Sequence, residues 1–205
     1  MELFTDVVSL GYRCRTTHQL RRHFGATAAY PFDWWISSMQ GLTRLVTDWD
    51  VDRLFHPDDL AEFRSDGRIF FVRQPRYGLK LFHDFPMQAA VMQEDWRDHI
   101  GNAKSRTLHL MEKFDSLNRE GRRILFVREV GGADKHPEMW ARSLKRAIRE
   151  RLPNAKSSFV LISSNGLAIQ GWRPLTIDDA AEEPWTGNDE LWRGALSSLD
   201  CALAS

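Results

Sequence analysis

Three short runs of nearly continuous apolar residues constrain this chain most: Leu3–Leu10, Arg123–Val130 and Ser158–Ser163. A strand with one wet face alternates apolar and polar residues, whereas a run with no polar alternation suits a strand buried on both faces. The first run stops at Gly11, and helical spacing follows at Thr17, Leu20 and Phe24 up to a stop signal at Gly25. Strand, glycine turn and helix open an α/β unit. The expected fold is therefore α/β, a mixed, largely parallel sheet with helices on both faces, in a single domain over residues 1–205. The three runs should lie side by side in one sheet.

Between these strands the chain carries other signals. Ser37 or Ser38 can cap a helix through Met39, Leu42, Leu45 and Val46. Residues 48–68 are charged and predict an irregular surface segment. Arg68–Arg73 and Tyr77–Phe82 predict two strands joined by a turn at Gln74-Pro75-Arg76. A long helix is expected over Glu94–Arg119 and another from Pro137 to Pro153, so that Trp96, Phe114, Trp140, Leu144 and Ile148 should be largely buried. Asn165-Gly166 predicts a hairpin turn running on through Leu167–Ile177, and Asn188 can cap a last helix carrying Leu191, Trp192, Ala195, Leu199 and Leu203.

Composition excludes several function classes. Lys plus Arg total 28 and so do Asp plus Glu, so no net field steers the chain toward nucleic acid or an anionic membrane. No apolar run approaches the length of a membrane span, and the first residues lack a basic segment followed by an apolar one. Two cysteines cannot build a disulfide scaffold, which points to a cytoplasmic setting. Neither a Gly-x-Gly-x-x-Gly string nor a P-loop is present, and one Cys with one His is a weak zinc signal, so no cofactor and no metal are expected. The expected partner is a small-molecule, peptide or glycan substrate.

Cys14 is the most informative position. It falls at the first turn of a helix after a buried strand, where unpaired amides and the helix dipole stabilise a thiolate, with Arg13, Arg15 and Arg21 nearby. The alternative is a small buried hydrophobe. His83, at a strand end, is the natural base, since a thiol and an imidazole in reach make a minimal activated nucleophile. His18 stands four residues after Cys14 but is expected to face solvent beside Arg21 and Arg22. Asp84 follows His83 directly and, within a strand, would point to the opposite face. Glu129 and Asn165 close predicted central strands, where ligand sites gather in open α/β sheets. Arg128 could bind an anion bidentately or simply pair with an acid. Asp33 can bind its own loop backbone or act directly at the site, and Trp34 can line a pocket or plug the core.

The strings Val8-Ser9-Leu10-Gly11-Tyr12-Arg13-Cys14, Pro31-Phe32-Asp33-Trp34, Gly78-Leu79-Lys80-Leu81-Phe82-His83-Asp84-Phe85 and Ile124-Leu125-Phe126-Val127-Arg128 resemble a bacterial family, DUF1796, described as papain-like cysteine peptidases. The resemblance runs from about residue 6 to about residue 165. It implies a Cys-then-His order carried by Cys14 and His83, with the Pro31–Trp34 loop and Arg128 near the same site. The Cys14 turn also resembles the Gly-Asn-Cys turn of capsule-biosynthesis proteins proposed to be acyltransferases. The expected function is thus a cysteine-dependent hydrolase or acyltransferase. The alternative is a non-catalytic binding module that holds a glycan or anionic ligand with the aromatic loop and Arg128.

Overall fold

The computed structural model describes residues 2–179 and 185–204. In chain order its elements begin with strands β1 (Glu2–Phe4) and β2 (Asp6–Ser9), helix α1 (Cys14–Phe24), β3 (Trp35–Ser37) and helices α2 (Met39–Asp48) and α3 (Val51–Leu54). Strands β4 (Ala61–Ser65), β5 (Arg68–Gln74), β6 (Leu79–Leu81), β7 (Met87–Gln88) and β8 (Val91–Met92) follow, then helix α4 (Ile100–Asp115). The last third comprises β9 (Arg123–Glu129), α5 (Pro137–Arg151), β10 (Lys156–Ser163), β11 (Arg173–Thr176), α6 (Asp189–Ser197) and β12 (Cys201–Leu203).

The central sheet is parallel, in the order β11-β10-β9-β2. The three apolar runs are adjacent in it, as expected. Continuous apolarity has its cause in two cores. Ile124, Phe126 and Leu161 enter one cluster with Leu42 of α2, Phe114 of α4 and Leu144 and Ile148 of α5. Leu125, Val127, Val160 and Ile162 enter the other with Leu20 of α1 and Trp192 and Leu196 of α6. Each central strand thus feeds both faces, and helices cover both. A second, antiparallel sheet in the order β3-β6-β5-β8-β7, with β4 on β5, extends the fold beyond the parallel unit. The β5–β6 hairpin has the expected turn, with Val72 opposite Leu81.

Several elements differ from expectation. The first apolar run is broken at Thr5, whose hydroxyl donates to the Arg123 carbonyl. β1 therefore pairs with β12, and only β2 joins the central sheet. Residues 48–68 are not an irregular surface segment, because Val51, Leu54, Phe55 and Leu60 are buried and α3 and β4 lie within the stretch. The helix expected over 94–119 is a 3-10 turn at Trp96–His99 followed by α4. No hairpin follows Asn165. The Leu167 amide bonds to the Ser163 hydroxyl, and the Trp172 indole donates to the Ala141 carbonyl, so the chain crosses over α5 and β11 returns parallel to β10. The last helix stops at Ser197; Asp200 takes a positive φ, and Leu203 lies in β12. Trp96, Phe114, Leu144 and Ile148 are buried, but Trp140 is half-buried, since the apolar stripe of α5 centres on Ala141, Leu144 and Ile148.

Candidate active site

The site grows from the carboxyl end of β2. Leu10 continues the ladder through its amide to the Val127 carbonyl, and the Gly11 carbonyl accepts from the Glu129 amide at 3.1 Å. Gly11 has φ +75°, and an added Cβ would stand 3.0 Å from the Ser37 hydroxyl and 3.3 Å from the Arg128 guanidinium. A glycine is therefore required at this turn, by conformation and by crowding together. Arg13 then takes an extended conformation as the cap of α1, with no side-chain hydrogen bond to the helix start and no acid in the first turn. Cys14 is thereby the first helical residue, beneath amides that no side chain caps.

Beneath the turn lies a buried clamp. The Arg128 side chain is fully enclosed, and its guanidinium donates to the Leu10 carbonyl at 2.8 Å, the Ser37 carbonyl at 2.7 Å and both Asp134 oxygens at 2.9 and 3.0 Å. It joins β2, β3 and β9 from inside. Arg128, expected to bind a ligand or pair with an acid, is paired with Asp134 and enclosed, with no side-chain surface reaching solvent. The Tyr12 ring caps this clamp and packs on Gly131, where an added Cβ would meet ring carbons at 2.2 and 2.3 Å.

Cys14 and His83 line one cleft of about 510 Å³. Its apolar wall is made by Trp34, Ile36, Phe82 and Trp185, and Tyr12, Arg13, Arg15 and Lys80 form the rest. His83 sits on the bend after β6 and meets the Trp34 indole edge to face, with centroids 5.6 Å apart. The Cys14 thiol donates to the Trp34 carbonyl at 3.6 Å, and no hydrogen bond joins it to His83. Trp34 therefore holds both partners of the pair.

The thiol is not the thiolate expected from the helix start. Burial pushes its pKa up to about 11, against a smaller lowering by its own backbone amide, and Asp84 and Asp33 push it further up. The nearby arginines are engaged elsewhere. Arg15 pairs with Glu129 and reaches the Asp179 carbonyl, while Arg21 pairs with Asp33 at 2.9 Å and lies over the Trp34 ring. Desolvation moves the His83 pKa below its ordinary value, so thiol and imidazole are both neutral at pH 7.

Asp33 structures the loop. Its carboxylate accepts from the Tyr30 amide and Arg21, its carbonyl accepts from Thr17 at 2.9 Å, and burial raises its pKa to about 6. Asp84 lies past the end of β6 and accepts from the Trp35 indole at 3.1 Å rather than orienting His83. The Glu129 carboxylate is held by Arg15 and by the Thr16 hydroxyl at 2.8 Å, in a separate polar cleft of about 240 Å³ that shares Tyr12, Arg13 and Arg15 with the first. Asn165 is exposed and lines neither cleft. His18 does not face solvent freely; it is half-buried, edge-on to Trp185 at 5.4 Å.

Sequence reasoning missed Trp185 and Lys80 as cleft residues. A lone tryptophan after Glu182-Glu183-Pro184 in a polar stretch was the available signal for the first. Among the described residues no group of three or more His, Cys, Asp or Glu could hold a metal ion, and no helix is long and apolar enough to cross a membrane. No curated protein and no solved structure matches the chain. Residues 5–166, which contain Cys14, His83 and the Arg128 clamp, match the family described as "Putative papain-like cysteine peptidase (DUF1796)". The chain belongs to that family.

Proposed function

We propose that the protein is a cysteine-dependent acyl hydrolase or acyltransferase, with Cys14 as nucleophile and His83 as its base. The observation that carries this reading is the presence of both side chains in one aromatic-walled cleft above an uncapped helix start. An apolar acyl group fits against Trp34, Phe82 and Trp185. Its binding expels water and replaces the contact between the thiol and the Trp34 carbonyl with one between the thiol and His83.

As Sγ attacks the carbonyl carbon, the thiol proton passes to the imidazole and the S–C bond forms. The Cys14 and Arg15 amides stabilise the oxyanion. The bond to the leaving group breaks, and the imidazolium returns the proton to it. Water, or an acceptor hydroxyl or amine, then attacks while His83 takes its proton; the S–C bond breaks and Sγ recovers the proton. Both partners start neutral, so the proton moves from the thiol to His83 as the S–C bond forms rather than before it.

Incubation with p-nitrophenyl hexanoate should leave a hexanoyl adduct on the Cys14 peptide, absent in Cys14→Ser. Its formation should be at least about a hundredfold slower in His83→Ala. An adduct confined to Cys201, or one indifferent to His83→Ala, refutes the assignment. A second reading has one observation in its favour: the thiol is bonded to Trp34 and not to His83. In that reading the aromatic cleft holds a glycan or anionic ligand without covalent chemistry, and no adduct forms.

A further inference from the structure

The antiparallel sheet carries a row of side chains that starts in the Cys14 cleft at Ile36 and Lys80 and runs on to Arg73. Ile36 of β3 is opposite Lys80 of β6, and Lys80 is opposite Arg73 of β5. Residues directly opposite on adjacent strands share a face, so Ile36, Lys80 and Arg73 form one line leading outward from the cleft. Like charges directly opposite each other destabilise a sheet. Lys80 and Arg73 are both exposed, and neither forms a salt bridge with a described acid. Among the described residues ring faces support them: Lys80 lies over Phe71 at 5.1 Å and Arg73 over Phe63 at 5.9 Å. No carboxylate is among the described residues lining the cleft, where Lys80 stands with Arg13 and with Arg15, the latter already paired with Glu129. Lys80 and Arg73 thus stand as two cations at paired register positions, with no described acid bonded to either.

We propose that the acyl substrate handled at Cys14 carries a compact anion, a carboxylate or phosphate, bound at the cleft rim by Lys80 and Arg73 while its apolar part lies against Phe82 and Trp34. The inference rests on the reading of Cys14 as the nucleophile. An anion between the two cations removes their repulsion, and the Arg73 guanidinium supplies a forked donor beside the Lys80 point charge.

Two pairs of thiol probes test it, each pair nearly matched in size and differing in a terminal carboxylate: N-propylmaleimide against 3-maleimidopropionate, and N-hexylmaleimide against 6-maleimidohexanoate. Rates at Cys14 and at Cys201 are followed by peptide mass spectrometry in the same sample at pH 9 and low salt, with Cys201 as the internal reference. In at least one pair the anionic probe should be favoured at Cys14 over Cys201 by about fivefold or more, as expected of a locally steered encounter. The preference should collapse toward one in 0.5 M NaCl, where screening shortens to a few ångström, and in the Lys80→Gln/Arg73→Gln double variant. Acetate and inorganic phosphate, compared at equal ionic strength, should compete with the anionic probe, and the stronger competitor assigns the anion. Equal ratios at the two cysteines for both pairs, or competition by neither anion, overturns the subsite even where p-nitrophenyl hexanoate acylates Cys14. Failure of every maleimide to reach Cys14 overturns the nucleophile reading itself.

Discussion

Asp134→Asn tests the clamp that holds the site together. Asp134 has no exposed side-chain surface, and its two oxygens accept from Arg128, from the Met39 amide at 2.6 Å and from the Gly131 amide at 2.9 Å. An asparagine fits the space but presents one oxygen and one NH2, so a donor must face either the Met39 or the Gly131 amide. An amide left without an acceptor costs about 1–3 kcal/mol. The larger loss is charge: removing one partner of a buried pair leaves the other uncompensated, at about 3–5 kcal/mol. The two effects overlap at one site, so the expected destabilisation is about 3–5 kcal/mol in total. Urea denaturation reads it as a fall in midpoint at constant m. Arg128 also holds the Leu10 and Ser37 carbonyls, so the variant should loosen the turn that sets Cys14 and raise its alkylation rate below the unfolding transition. A cost under about 0.5 kcal/mol, within the range of surface substitutions, would refute the view of Arg128 and Asp134 as a structural ion pair.

Three other predictions follow from local geometry and ionisation. Alkylation of Cys14 by iodoacetamide should rise about tenfold per pH unit from pH 7 to 10, because only the thiolate reacts and burial holds the pKa at about 11; a plateau below pH 9 contradicts that environment. Burial raises the Asp84 pKa from 3.8 to about 6, so the folded state binds more protons than the unfolded chain between those values. Its contribution is full below about pH 4 and is lost as pH rises through about 6, so the stability of the protein relative to Asp84→Asn should fall across that window, and a flat or rising difference refutes it. Gly11→Ala should cost about 1–2 kcal/mol for the left-handed backbone alone, with more from the Ser37 and Arg128 contacts; chemical denaturation showing a loss under about 0.5 kcal/mol would mean the turn can relax.

The β2–Gly11–Cys14 turn and the strands β9 and β10 were legible because their signals are local or periodic. An apolar run without alternation leaves both faces of a strand dry, and a glycine before a helical pattern marks a turn, whatever surrounds them. A cap at Ser37 or Ser38 and one at Asn188 were legible for the same reason, since a cap acts within three residues, and the structure takes Ser38 for the first. The Asn165-Gly166 turn was misread because hairpin and crossover begin alike. The choice fell to Ile169 and Trp172, whose burial against α5 draws the chain over the helix before it returns.

The sequence by itself determined the class of fold, the doubly buried strands, and the placing of Cys14 at a helix start and His83 after a strand, since each depends on neighbours a few residues away. Only the tertiary structure decided what those groups are. The helix start favours a thiolate, yet enclosure by the Trp34 loop outweighs it, because desolvation depends on everything packed around an atom and not on its neighbours in the chain. For Arg128 the sequence left open an anion or an acid of the chain as partner, and only the convergence of Asp134, Leu10 and Ser37 from three separate segments decides for the chain. Lys80 and Arg73 lie seven residues apart across a turn, and only the register of β5 on β6 sets them opposite each other, with Lys80 on the wall of the cleft.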